Sequence, residues 1–272
     1  MRKEKKINIA LIGYGNWGKK IYKNLKRISS VNLYVFTKTN IIKNKNFRVL
    51  KTIADLNLPK LDGIVCATNA KAHEKYAILC IKHNTPVFIE KPISKNYDFF
   101  KNPIIKSKIK KLVVVNYIYL KYLIYKKFLP NFKKSKKVIL IFGSSNGKKD
   151  FRVVKWEWLT HIFSIIIFFF GNNIRNIKIK KKFNNFSLTF RISKIKFYCF
   201  FGDRFVKKTR FLKIIEKNKN NKLKLNNNSI PSFSPLNLVL KDFLNKIKKK
   251  LAYSDIDLSE KITKQIKDIK IS

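Results

Sequence analysis

Three glycines, Gly13, Gly15 and Gly18, stand in the spacing G-x-G-x-x-G within "IALIGYGNWGKKI". That spacing handles phosphate with backbone alone. Gly13 allows a tight turn, Gly15 lets the main chain approach a pyrophosphate, and Gly18 lets a helix pack closely on a strand. The pyrophosphate would rest on the exposed N–H groups of a helix beginning near Asn16 and Trp17. With only 8 glycines in the chain, chance would produce the pattern in on the order of one such chain in a hundred.

A second reactive position is Lys91, in "VFIEKPISKN". Its type carries little weight, because 62 of 272 residues are Lys or Arg. Its place carries more. A strand over 87–90 ends at Glu90, and Pro92 fixes the chain direction just beyond Lys91. A lysine at the carboxyl end of a parallel strand faces the crevice where ligands bind. Partial desolvation and a neighbouring cofactor can bring its amine into the range of proton transfer.

The second strand ends in Thr37 and Lys38, where an acidic residue would ordinarily hold the ribose 2′-hydroxyl. A hydroxyl beside a cation suits a 2′-phosphate, so NADP stands beside NAD as the cofactor. Lys38 is equally what composition alone would place there. Farther on, Glu157 and His161 are four residues apart and share one helix face. That histidine is either a functional group or a core residue packed against the aromatic run that follows it.

These residues need elements to hold them. Residues 7–12 form a continuous apolar run entering the glycine turn, as a buried parallel strand does. A helix over 16–28, strands over 31–36 and 62–68, a helix over 72–83, and strands over 87–90 and 112–117 follow. Strand and helix alternate, which predicts a doubly wound parallel sheet. After about residue 119 the pattern changes to strand-like runs separated by Gly, Asn, Lys or Asp. Several of these alternate polar and apolar residues, which predicts a mostly antiparallel open sheet with one wet face. A helix over 156–170 would cover the dry face. The low-complexity stretch 216–232 reads as a loop, and Ser234 with Pro235 opens a helix. The fold class is therefore an α/β Rossmann domain over 1–118 followed by an α+β domain over 119–272. The second would serve substrate binding and oligomerisation, with its C-terminal helices free to return and pack on the first.

Composition sets the outer bounds. A hydrophobic fraction of 45%, with 23 Phe and 11 Tyr, predicts a folded chain. The net charge of +47 would ordinarily point to nucleic acid or an anionic surface. Lysine is spread along the whole chain beside abundant Ile and Asn, however, which points to a codon-level drift that fills solvated positions. Cys66, Cys80 and Cys199 lie far apart, which argues against a metal cluster or disulfide framework and fits a reducing, cytoplasmic setting. The N-terminus reads as a first strand, and "HIFSIIIFFFG" is too short for a membrane span.

Taken together, "IALIGYGNWGKKI", "CATNAKAHEKYA" and "VFIEKPIS" resemble, in order and spacing, the glucose–fructose oxidoreductase/inositol dehydrogenase (Gfo/Idh/MocA) family. "WEWLTHIFSIIIFFFG" and "SPLNLVLKDFLNKI" are similar to later segments of the same family. The resemblance implies a nicotinamide-dependent oxidoreductase acting on a secondary alcohol of a sugar, cyclitol or nucleotide-sugar. It implies that Lys91 hydrogen-bonds the reacting hydroxyl and helps move its proton, with His161 sharing in that movement. Thr68, Asn69, His73 and Glu90 would border the cofactor, and Asn116, Tyr117 and Glu157 the substrate. The family usually has Asp where this chain has Glu157. The glycine turn and the "WEW…H" helix look most like members of surface-polysaccharide pathways.

The implied partners are a small sugar or nucleotide-sugar and a second copy of the chain, with no specific nucleic acid, no membrane span and no metal. The second domain reads as short, which predicts missing sheet elements. Two alternatives remain open. One is a member that binds cofactor without turnover, and the other a basic nucleic-acid-binding protein on the same scaffold.

Overall fold

The computed structural model describes residues 6–37, 47–49, 60–107, 112–128, 134–145, 147, 150–182, 185–216, 220–225 and 234–270. Contacts divide the chain into two units, one of Met1–Asn116 with Leu236–Ser259, the other of Tyr117–Pro235 with Glu260–Ser272.

The first unit is built on a parallel sheet. Strands β1 (Ile7–Ile12), β2 (Val31–Thr37), β3 (Phe47–Val49), β4 (Gly63–Cys66), β5 (Val87–Ile89) and β6 (Val113–Val115) lie in the order β3-β2-β1-β4-β5-β6. All five neighbouring pairs are parallel. Strand order reverses between β1 and β4, so the loops leaving those two strands open a crevice at the sheet's carboxyl edge. Helix α1 (Asn16–Lys26) buries Gly18, Ile21 and Leu25, a spacing that puts them on one face. Helix α2 (Ala70–Lys82) starts at Asn69, whose side chain accepts the N–H of Ala72 at 3.1 Å. That capping bond is worth about 1 kcal/mol. A short 3-10 turn (Tyr97–Lys101) and helix α3 (Pro103–Lys106) carry the chain towards β6.

The C-terminal part of this unit closes the sheet's β6 edge. Val113 N–H donates to Tyr253 O at 2.7 Å, and Asp255 N–H returns to Val113 O at 2.9 Å. Val115 N–H donates to Asp255 Oδ2 at 2.9 Å. An edge strand that would otherwise expose unpaired backbone groups is thus covered by the chain itself. The helix Pro235–Lys248 packs on the same unit through Phe243, whose ring lies 5.7 Å from that of Phe88.

The second unit carries helix α4 (Ile118–Tyr125), strand β7 (Ser135–Gly143), helix α5 (Phe151–Phe170) and strands β8 (Arg175–Lys182), β9 (Asn185–Ile192), β10 (Ile195–Gly202), β11 (Thr209–Glu216) and β12 (Asn220–Lys224). Helices α6 (Pro235–Lys248) and α7 (Ile256–Lys267) complete the chain. The sheet order is β12-β11-β7-β10-β9-β8. All its pairs are antiparallel except β7 with β10, which are parallel. Along β9, Phe186, Leu188, Phe190 and Ile192 are buried while the residues between them are not. That period of two gives the sheet its dry face.

Helix α5 lies on that face. Its Phe163 ring is 6.1 Å from Phe190, and its Phe170 ring is 5.0 Å from Phe197. Of these, Phe163, Phe190 and Phe197 are buried, and each contributes about 1.5–3 kcal/mol. Helix α5 is 20 residues long with a mean hydropathy of 1.5 over its most apolar window, 61% of which is buried against the rest of the protein. It is a core helix by its packing.

Two features differ from the sequence reading. The stretch 216–232 was expected as a loop, yet Asn220–Lys224 pairs with β11 as β12, because ladder hydrogen bonds form whatever the side chains are. Helix α5 starts at Phe151, five residues before the expected position, where Asp150 caps it through Arg152 N–H at 3.2 Å.

Candidate active site

The three glycines of the first turn have different reasons to be glycine. Gly13 has φ +95°, and a Cβ there would lie 2.7 Å from Ala67 O. A Cβ on Gly18 would lie 2.2 Å from Gly13 O. Both are demanded by the fold itself. Gly15 has φ −70° and ψ −169°, an ordinary extended conformation. A Cβ there would meet nothing within 4 Å. The protein's own atoms give no reason for glycine at this position, whereas a ligand pressed against the backbone would.

The start of α1 supports such a ligand. No side chain caps it, and its first turn holds no acidic residue. Gly15 and Asn16 are exposed. The first N–H to find a partner within the helix is that of Lys19, which donates to Gly15 O at 2.9 Å. The preceding N–H groups therefore point out of the helix end, where the macrodipole favours an anion. The residues present fit the pyrophosphate of a dinucleotide. Thr37 is buried at the end of β2, and Lys38 lies outside the described residues.

The β4 turn lies beside this cradle, with Thr68 and Asn69 in it. His73, on the first turn of α2, is 2% exposed. Its Nδ1 lies 2.8 Å from Pro92 O and its Nε2 lies 3.0 Å from Thr68 O. The ring therefore sits between the β4 turn and the turn that carries Lys91, and as a neutral imidazole it donates its one N–H to one of the two carbonyls. Burial lowers its pKa below the usual 6.5, against the opposite pull of the two carbonyls. We expect His73→Phe, which keeps a ring but loses the N–H and leaves its buried carbonyl partner unpaired, to cost about 2 kcal/mol. A melting temperature lower by about 5 °C in thermal unfolding would show it.

Beyond β5, one carboxylate oxygen gathers two donors. Glu90 Oε1 accepts the indole N–H of Trp17 and, at 2.6 Å, the side-chain amide of Asn116. Glu90 is buried, and that burial pushes its carboxyl up to about 7, against the lowering effect of Asn116, Trp17 and Lys91. Because the folded value lies above the ordinary 4.5, ionising this group costs stability as pH rises from about 4.5 to about 7. Lys91 follows directly, half-buried, joined to Pro92 by a cis peptide bond. Asn116 is 1% exposed, and its Oδ1 has no hydrogen-bond partner among the described residues. The Cys66 thiol beneath this turn is pushed up to about 11, mainly by burial, so it stays protonated at neutral pH.

Gly13, Gly15, Asn16, Trp17, Gly18, Thr37, Thr68, Asn69, His73, Glu90, Lys91 and Asn116 all belong to the first unit. Tyr117, Glu157 and His161 belong to the second. Tyr117 is buried at the start of α4. Glu157 and His161 lie one turn apart on α5, and His161 is 6% exposed. Its ring is enclosed by Tyr119 at 4.8 Å, Phe142 at 6.1 Å and Trp158 at 6.4 Å between centroids.

Two buried charged residues fix that aromatic box, and both were missed in the sequence. The Arg210 guanidinium lies 4.1 Å from the Trp158 ring, and its Nε donates to Tyr119 Oη at 3.2 Å. Arg210 also donates to the carbonyl of Gly143. Asp203 Oδ1 accepts from Ser144 Oγ at 2.8 Å and from Trp158 Nε1 at 3.0 Å. The signal for Arg210 was available. In "TRFLKII" it shares strand parity with Leu212 and Ile214, so it points to the dry face.

Comparison with known proteins places this geometry. Residues 7–116 match the family model described as an oxidoreductase family with an NAD-binding Rossmann fold. No curated protein sequence matches the chain. Many solved structures share the fold. UDP-N-acetylglucosamine 3-dehydrogenase GnnA from Acidithiobacillus ferrooxidans is 12% identical, with a TM-score of 0.76 over 96% of this chain and 95% of that one. A myo-inositol dehydrogenase from Corynebacterium glutamicum is 13% identical, with a TM-score of 0.76 over 96% and 94%. GenD2 from gentamicin A biosynthesis, solved in complex with NAD, is 13% identical, with a TM-score of 0.77 over 96% and 92%.

Proposed function

We propose that this chain, whose residues 7–116 match the model of an oxidoreductase family with an NAD-binding Rossmann fold, is a Gfo/Idh/MocA-type oxidoreductase that transfers hydride between a nicotinamide cofactor, NAD or NADP, and a secondary hydroxyl of a sugar or nucleotide-sugar. The single observation that carries the reading is the pairing of two turns at one sheet edge. One holds Gly15, a glycine that only a ligand explains, and the other holds Lys91.

When bound, the nicotinamide accepts or supplies the hydride. Gly13, Gly15 and Gly18, with the N–H groups of Asn16 and Trp17, bind the pyrophosphate. Thr68 and Asn69 border the cofactor from the β4 turn. Lys91 Nζ hydrogen-bonds the reacting hydroxyl and, as a neutral amine, takes its proton while hydride leaves the same carbon. A carbonyl remains. In the reverse direction the ammonium returns the proton as hydride arrives. Asn116 is the proposed substrate-binding residue of the first unit, and Tyr117, Glu157 and His161 those of the second, His161 with a share in the proton movement. The likeness in fold to a UDP-sugar dehydrogenase and an inositol dehydrogenase supports a polyhydroxylated substrate, and a nucleotide-linked sugar of surface-polysaccharide synthesis is the substrate class we favour.

The test is a panel of UDP-N-acetyl sugars, UDP-hexoses and cyclitols offered with NAD and NADP, followed by nicotinamide absorbance. We expect turnover of at least one substrate at a rate on the order of 1–100 per second. Tight cofactor binding with no reduction by any member of the panel would instead favour a chain that binds dinucleotide without catalysis.

A further inference from the structure

The Glu90 carboxylate joins three segments that the chain brings from far apart. Trp17 stands on the first turn of α1, Asn116 follows β6, and Glu90 itself precedes Lys91. Both donors converge on the same oxygen, Oε1. The residue is 9% exposed, so water cannot readily take over either bond. Across the sheet, β4 lies between β1 and β5. The Trp17 indole therefore spans from the glycine turn over one whole strand to reach the Lys91 turn.

A glutamine would accept the same two N–H groups without placing a charge in a buried site. What the carboxylate adds is strength, since bonds to an ionised acceptor are roughly twice as strong as neutral ones. We propose that Glu90 is a positioning residue that acts through Trp17 and Asn116, locking the dinucleotide-binding turn to the Lys91 turn when ionised and loosening the two when protonated. This deepens the dehydrogenase reading and rests on it for the effect on cofactor, whereas the lock itself is present in the free protein.

The surroundings make the carboxyl responsive near neutrality. Burial raises it to about 7. The titratable groups facing it are Lys91 from its own turn and the Cys66 thiol from β4. The thiol stays neutral in this range. Trp17 from α1 and Asn116 from β6 carry no charge. Lys91 is the other titratable group in contact with Glu90, so the Glu90→Gln comparison is what assigns the transition to the carboxyl.

Trp17 reports directly on its acceptor. Fluorescence of the full chain without cofactor is recorded from about pH 5.5 to about pH 8.5, either side of the carboxyl midpoint. The Trp17 signal is the difference from Trp17→Phe. The expected result is a one-proton transition near the Glu90 value of about 7, absent in Glu90→Gln. Calorimetry should then show NADH affinity falling about tenfold in wild type as pH drops through the same transition, with no pH dependence in Glu90→Gln. A Trp17 signal that is flat with pH overturns the proposal, as does the same transition persisting in Glu90→Gln. Should Glu90→Gln not fold, the comparison of wild type with Trp17→Phe still decides. A clear fluorescence transition with no NADH binding at any pH would leave the lock standing and remove the dehydrogenase reading instead.

Discussion

Lys91→Met is expected to lower turnover about a thousandfold while leaving NADH affinity within a few-fold of wild type. Methionine keeps an unbranched stem and removes only the amine. A positioned acid–base group contributes typically 10²–10⁴-fold, so the loss should fall inside that range. Lys91→Arg separates proton transfer from simple charge. Arginine keeps the cation but does not give up its proton in any accessible range. We therefore expect it to be as inactive as methionine. Steady-state turnover on an identified sugar, with calorimetry for the cofactor, measures both quantities. An active Lys91→Arg variant would reassign the lysine from proton carrier to electrostatic anchor.

The second large effect separates two glycines three residues apart. A Cβ on Gly18 would sit 2.2 Å from a backbone carbonyl oxygen, with no flexible side chain to move aside. Gly18→Ala should cost about 3 kcal/mol or more, visible as a melting temperature lower by about 6 °C or more. Gly15→Ala has open space around its new methyl and an extended backbone that alanine adopts freely. Its melting temperature should be unchanged or slightly raised, because alanine restricts the unfolded chain. Its affinity for a dinucleotide should nevertheless fall about 10- to 100-fold, since the methyl occupies the approach of the pyrophosphate. The two variants thus reverse each other. One damages the fold, and the other damages only what the fold binds.

Much of this architecture was legible because buried parallel strands write themselves as unbroken apolar runs. "INIALI" and "GIVC" are of this kind, and each is followed by a turn with its own chemistry. Strand β3 has three residues, too few to show any period. Strand β12 was hidden by its composition, because "NNKLK" offers lysine and asparagine where a strand signal would need branched or aromatic residues. The parallel pairing of β7 with β10 joins strands some sixty residues apart in sequence, and no local pattern encodes that choice. Helix α4, "IYLKYLIY", is apolar on nearly every side, so it lacks the stripe that marks an amphipathic helix.

The candidate site divides along the same line. Gly13, Gly15, Gly18 and Lys91 could be named from their places after strands. The two interactions that organise their surroundings could not. His73 touches carbonyls 5 and 19 residues away, and Trp17 reaches Glu90 across 73 residues. Such ties exist only once strand order brings two turns to one edge. Composition obscured function as well. With a net charge of +47, a lysine is informative only through its position, and the cations that matter most structurally are those withdrawn from solvent, such as Arg210 at 5% exposure.

The central claim is that the glycine turn of the first unit holds a dinucleotide at the sheet edge where Lys91 stands. Its most direct test is calorimetric titration of NADH and NADPH into wild-type, Gly15→Ala and Lys91→Met proteins. The account predicts one dinucleotide per chain in wild type and in Lys91→Met, with binding lost or strongly weakened in Gly15→Ala. Absence of binding in wild type, or equal binding in Gly15→Ala, would contradict it.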